Sequence, residues 1–187
     1  FIMNQNSEPV RGNLLISAPF LNDIFSRSVI LLTESNEEGS VGFILNKLTE
    51  FKLHEIIENF PEFDAPVYIG GPVQQNTLNF IHKAGEILDG SHEIMKGIYW
   101  GGNYETLKIL IENNSLNPED FKFLLGYSGW GPQQLAEELK INSWYLNNPS
   151  YEIIFDKEPS NLWNRVLKSM GKKYSLISTF PADPSVN

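Results

Sequence analysis

The order of its apolar runs constrains this chain more than any other feature. Residues 13–17, 28–33 and 41–45 are short stretches rich in Val, Ile, Leu and Phe, separated by Pro, Asn, Asp and Gly, as buried strands are. Turn formers and charge gather over residues 34–39, so the second and third strands form a hairpin closed by Gly39. After Asn46 the period changes. Leu53, Ile56, Ile57 and Phe60 follow helical spacing and predict a helix over 51–59, with Thr49 as its cap and Pro61 beyond its end. Strands are expected again over 67–69, 78–82 and 94–100, then a helix capped by Asn103 and a strand over 121–125. Pro132 suits the first turn of a helix that buries Leu135 and Leu139 and runs to about Lys140. Strands over 143–146 and 153–155, a helix over 161–170 stopped by Gly171, and a last strand over 174–178 complete the reading. Strands outnumber helices and do not alternate with them. That order argues against a doubly wound parallel sheet and for an α+β fold, with helices packed over a mixed, mostly antiparallel sheet.

A length of 187 residues accommodates one core, and no long linker interrupts it, so one domain over residues 11–180 is expected, with flexible tails at 1–10 and 181–187. The first ten residues lack the basic, apolar and small-residue succession of a signal peptide. Fourteen basic against 23 acidic side chains leave a net charge of −9, which repels the phosphate backbone and disfavours direct nucleic-acid binding. Lys168, Lys172 and Lys173 form a short basic cluster, read as a solvated helix end. With no cysteine, disulfides, thiolate metal sites and thiol nucleophiles are excluded, and a cytoplasmic setting is compatible. No apolar run approaches the roughly 20 residues a membrane-spanning helix needs, so no membrane association is expected.

Motifs for chemistry fall short of completion. His54-Glu55 opens like a zinc-protease helix, but Glu58 stands where the second histidine belongs, and His82 and His92 show no ligand spacing. Neither a metal nor a cofactor is therefore expected. Ser128 has Trp130 where a nucleophile elbow needs glycine, and it reads as a small turn residue. Gly70-Gly71-Pro72 and Gly101-Gly102-Asn103 leave backbone N–H groups open to an anion, yet no lysine or third glycine completes a phosphate fingerprint. No catalytic residue is assigned. Gln134 and Glu138 share one helix face near Trp130, an arrangement suited equally to a ligand and to a buried indole that needs an acceptor. Asn46, directly after an apolar strand, reads first as a cap or turn former.

Taken as an ordered set, these segments resemble the AlgH (YqgE/AlgH-like) family, small bacterial proteins of unassigned activity. Gly12 with residues 14–19, residues 25–32, Gly39 with residues 42–46, Gly70 to Val73 followed by His82, and Gly126 to Trp130 with Gln134, Leu135 and Glu138 carry the likeness. Ser35 and Leu48 depart from it, standing where many members carry histidine and proline. The resemblance implies an α+β domain with a strongly bent sheet and a cytoplasmic setting. The family name reflects a suggested part in transcriptional control, which no helix-turn-helix pattern supports here. The functional expectation is a non-enzymatic binding or regulatory protein, with Asn46, Gly70, Gly71, Pro72, Trp130, Gln134 and Glu138 around a cleft for a small molecule or a protein segment. Its rival is a hydrolase or transferase acting on a small anionic substrate, with Glu138 or His82 as base, which requires those two side chains to lie close together.

Overall fold

One strand is shared by two halves of a bent sheet, and the rest of the architecture follows from it. A computed structural model of the protein describes residues 3–182; residues 1–2 and 183–187 of the two expected tails lie outside that range. The strands are β1 (Leu14–Ser17), β2 (Val29–Asn36), β3 (Gly39–Ile44), β4 (Val67–Ile69), β5 (Val73–His82), β6 (His92–Met95), β7 (Ile98–Trp100), β8 (Phe121–Trp130) and β9 (Trp144–Asn147). The helices are α1 (Leu53–Ile56), α2 (Tyr104–Glu112), α3 (Gln134–Lys140), α4 (Tyr151–Ile154), α5 (Leu162–Ser169) and α6 (Lys172–Ile177). The sheet runs β6-β7-β5-β8-β3-β2-β1-β9 with antiparallel neighbours throughout, and β4 lies off that path, parallel to β8. The fold is α+β, as expected.

The first half of β8 pairs with β4 and β5 through Phe121 to Leu125, and its second half pairs with β3 through Ser128 to Trp130. Between them Gly126 takes φ +68°, a left-handed conformation that lets the strand turn from one half of the sheet to the other. Strand alternation then sends side chains into three apolar layers. Leu14, Ile16, Leu31, Phe43 and Leu124 face α5 across the central layer. Phe121, Phe123 and Phe80 meet α1 and α2 on one side, and Leu15, Ile30, Trp130 and Trp144 meet α3 on the other. Each half of the sheet is thus covered on both faces.

Four local expectations are corrected. Ser128, expected in a turn, lies in the continuation of β8, because Ser128 to Trp130 pair with β3 and Tyr127 with β5. The helix expected over 51–59 shortens to α1, since the Thr49 hydroxyl donates to the Val67 carbonyl at 2.7 Å and ties the chain beside β4. Residues 153–155 belong to α4 and its end, capped where the Ser150 hydroxyl accepts from the Ile153 N–H at 3.2 Å. Residues 174–178 form most of α6 and its cap, with Tyr174 and Ile177 three residues apart on the central layer. At the β9 end of the sheet, the Gln5 amide both donates to and accepts from the Leu146 backbone, at 2.8 and 2.7 Å, and covers an edge otherwise open to another strand.

Candidate functional site

Trp130, Gln134 and Glu138 converge where β8 hands the chain to α3. Gln133 adopts φ +66° ahead of the helix, and the Gln134 side-chain oxygen accepts from the Gly131 N–H at 2.9 Å, closing the turn between strand and helix. One turn later Glu138 accepts two indole N–H bonds on the same oxygen, from Trp130 at 3.2 Å and from Trp144 on β9 at 3.0 Å. The two indoles meet edge to face with centroids 5.9 Å apart, and Phe25 packs against both. Glu138 is therefore an acceptor that fixes two tryptophans.

Beside this cluster stands the β2–β3 hairpin, flanked by three neighbouring clefts. One of about 430 Å³ lies between the hairpin, Glu8 to Val10 and the approach to α3 at Gly131 and Gln133. A second, about 220 Å³, brings Trp130 against Glu34, Glu38 and Val41. The largest, about 760 Å³, separates the outer part of β2 from β6 and has Trp100 and Ile94 among its walls.

The remaining candidates serve the framework around these clefts. Asn46 accepts from the Val29 N–H at 3.0 Å and donates to the Arg27 carbonyl at 2.9 Å, clasping the start of β2. Gly70 carries its carbonyl to the Ile44 N–H at 2.8 Å and to the Ser128 hydroxyl at 3.0 Å. Gly71 runs so close to β8 that a Cβ there would overlap the Tyr127 backbone. Pro72 is exposed. Asn46, Gly70, Gly71 and Pro72 line none of the three clefts. Ser128 is fully buried within β8, so its small side chain serves a strand rather than a turn.

His82 lies in the other half of the sheet, with no surface exposed. Its Nδ1 accepts from the Ala84 N–H at 3.0 Å, which assigns the proton to Nε2, 2.7 Å from the Gly101 carbonyl. The ring stacks on Phe121 at 5.0 Å, and burial pushes its pKa below the usual histidine value, partly opposed by that carbonyl. His82 packs among the phenylalanines near α2 and Glu138 between two tryptophans near α3, so the pair shares no partner. Among the described residues no group of three or more His, Cys, Asp or Glu side chains is placed to hold a metal.

Sequence reasoning missed Lys122. The residue is 2% exposed, donates to the Leu45 carbonyl at 2.8 Å, and holds its ammonium nitrogen 4.3 Å from the Tyr68 ring centre. It forms no ion pair among the described residues. Burial drives its pKa down to about 7, against the opposing pull of Asp156, and burial lifts the Tyr68 hydroxyl to about 12. Burial is the largest influence on the Asp156 carboxyl and raises it, but two 2.8 Å bonds from Arg165, the Glu158 N–H and the positive charges of Arg165 and Lys122 together outweigh burial and hold that pKa below the usual range. The signal in the sequence was alternation: Lys122 falls between Phe121 and Phe123, on the same face as Leu124.

The AlgH-like family model matches residues 14–175. The chain belongs to the AlgH-like family. A UPF0301 protein of Chlorobaculum parvum is 43% identical over 177 residues, covering 94% of this chain and 95% of its own. A UPF0301 protein of Cytophaga hutchinsonii is 42% identical over 179 residues, covering 95% of this chain and 98% of its own. The solution structure of the AlgH protein from Pseudomonas aeruginosa superposes with a TM-score of 0.72 at 26% identity, covering 95% of this chain and 97% of that one. A Corynebacterium diphtheriae crystal structure shares the fold, with a TM-score of 0.73 at 22% identity over 93% of this chain and 94% of that one. No helix among the described residues is long and apolar enough to cross a membrane.

Proposed function

We propose that this AlgH-like protein is a cytoplasmic recognition component rather than an enzyme, holding a small molecule or a protein segment at the clefts around its β2–β3 hairpin. The observation that carries the reading is the commitment of the groups suited to acid–base chemistry. His82 uses both ring nitrogens inside the core, Glu138 is occupied by two indoles, and the Ser128 hydroxyl is spent on the Gly70 carbonyl. What stays open is a polar rim beside an aromatic wall, which suits binding without turnover. In this reading Trp130 shapes the recognition surface, while Asn46, Gly70, Gly71, Pro72, Gln134 and Glu138 hold its supports. Any regulatory effect then passes through a bound partner, because the charge of −9 opposes direct contact with nucleic acid.

A thermal-shift screen of metabolites and short peptides tests it. At least one compound is expected to raise the melting temperature with saturation. Asn36→Ala and Glu37→Ala, both exposed and on the cleft beside α3, are expected to remove that rise while changing the unliganded melt little. A flat screen, or stabilisation untouched by both variants, sinks the reading.

A further inference from the structure

The strand path leaves two backbone edges open, and the bend of the sheet points them at each other. β6 ends the path and, among the described residues, pairs only with β7. β2 pairs with β1 only as far as Leu31, and the next residue, Leu32, is engaged by Gly12 and Asn13. Thr33 sits at a register shift between Leu32 and Glu34; from Glu34 to Asn36 the strand is paired on its β3 side, and among the described residues no strand lies along its other edge. Between these edges lies the cleft of about 760 Å³, lined by Thr33 to Asn36 from β2 and by His92 to Ile94 from β6. Its narrow end is closed by the chain itself, for a Cβ at Gly12 would sit 3.5 Å from the Ile94 carbonyl oxygen.

We propose that this cleft takes an extended, lysine- or arginine-rich segment of a partner protein as an added strand, bridging β6 and the outer half of β2. The inference deepens the recognition reading and rests on it. Unpaired N–H and C=O groups on a strand edge are a template for another strand, and the three residues of β2 beyond the register shift would match about 10 Å of extended chain. Alternate side chains of the guest would turn inward toward Trp100 and Ile94, and the others outward to the rim. The rim chooses the charge. Glu34 and Glu93 line the cleft, and Glu8, Glu37 and Glu38 line the two clefts beside it, against Arg11 and His92. A second copy of this chain would bring the same carboxylates and a further net charge of −9, so self-pairing is disfavoured where a cationic strand is attracted.

The test titrates the isotope-labelled full chain with a Lys-Val-Lys-Val-Lys-Val peptide, followed by amide shifts and calorimetry. The same peptide N-methylated along one edge keeps the charge but loses the strand donors, and a Glu-Val-Glu-Val-Glu-Val peptide reverses the charge. Saturable binding is expected, with shifts centred on residues 33–36 and 92–95. N-methylation is expected to weaken it at least tenfold, and so is the exposed pair Glu34→Lys with Glu93→Lys; the acidic peptide is expected not to bind. Equal affinity for the N-methylated peptide, equal affinity for the acidic peptide, shifts centred elsewhere, or no saturation each overturns the proposal. If metabolites still stabilise the protein near Trp130 while the lysine peptide fails, the strand proposal falls and the recognition reading stands.

Discussion

The two halves of β8 are built on opposite principles. From Phe121 to Leu125 the strand works through its side chains: phenylalanines fill one layer, while Lys122 and Leu124 reach into another. From Gly126 to Trp130 it works through its backbone, with two glycines, a buried serine, and Gly70 and Gly71 pressed against it. The first half tolerates a change of shape as long as volume is kept, whereas the glycine contacts of the second, Gly126 against Gly71, have no side chain to yield. The two halves also treat their ionisable groups differently. Glu138, facing the second half, has its charge met by two indole donors, while Lys122 in the first half has a carbonyl and a ring face and no carboxylate bonded to it.

Trp130→Ala puts the largest strain on this comparison and is expected to cost about 3–5 kcal/mol in urea unfolding, since the cavity opens where two other aromatic rings meet. Gly71→Ala should follow at about 3 kcal/mol, because the new methyl overlaps the Tyr127 backbone, whereas Leu124→Met in the other half should stay under about 1.5 kcal/mol. A Gly71→Ala midpoint above that of Leu124→Met would break the contrast between backbone and side-chain packing. Glu138→Ala leaves two indole N–H groups without their acceptor and is expected to cost about 1–3 kcal/mol, most of which Glu138→Gln should restore by supplying an amide oxygen. If the glutamine variant is no better than alanine, the charge rather than the acceptor holds the tryptophans.

The smallest effect, taken per pH unit, is read against pH. Because burial lowers Lys122 from 10.5 to about 7, the unfolded chain binds more protons between those values. Stability should therefore rise with pH across that window, by at most about 1.4 kcal/mol per pH unit. Tyr68, Tyr145 and Tyr174 act in the opposite sense above pH 10, where their raised pKa values make the folded state hold the extra proton. Unfolding followed from pH 7 to 9.5 isolates the lysine. Lys122→Met should flatten that rise while remaining as stable as the parent at neutral pH or more so. An unchanged slope would assign the pH dependence to other groups.

Much of the sheet was legible because its signals are local. Residues 13–17, 28–33 and 41–45 alternate with turn formers, and each lies within or across an observed strand; the expected hairpin joins β2 to β3, with its turn narrowed to residues 37–38 because residues 34–36 extend β2. The α3 stripe of Leu135 and Leu139 was equally readable from its spacing. The second half of β8 was not. Gly126-Tyr127-Ser128-Gly129 reads as a turn on propensity, and it becomes strand because β3 and the Gly70–Gly71 segment supply partners from far along the chain. Residues 174–178 misled for a related reason: a short β-branched and aromatic run fits either period, and packing against the central layer selected the helix. Of the candidate site, the link between Trp130 and Glu138 was visible as helix spacing, while its second donor, Trp144, comes from β9 and left no local mark.

The sequence alone determined the α+β class, the family, the strand runs with their turns, and a charge that discourages nucleic acid. Each rests on neighbours in the chain or on simple totals. Only the tertiary structure decided that Lys122 is buried in an apolar layer, that Glu138 serves two tryptophans, and that the open edges of β2 and β6 face across one cleft. These depend on pairing between strands far apart in the chain, which fixes the faces their side chains share and the backbone groups that go unpaired.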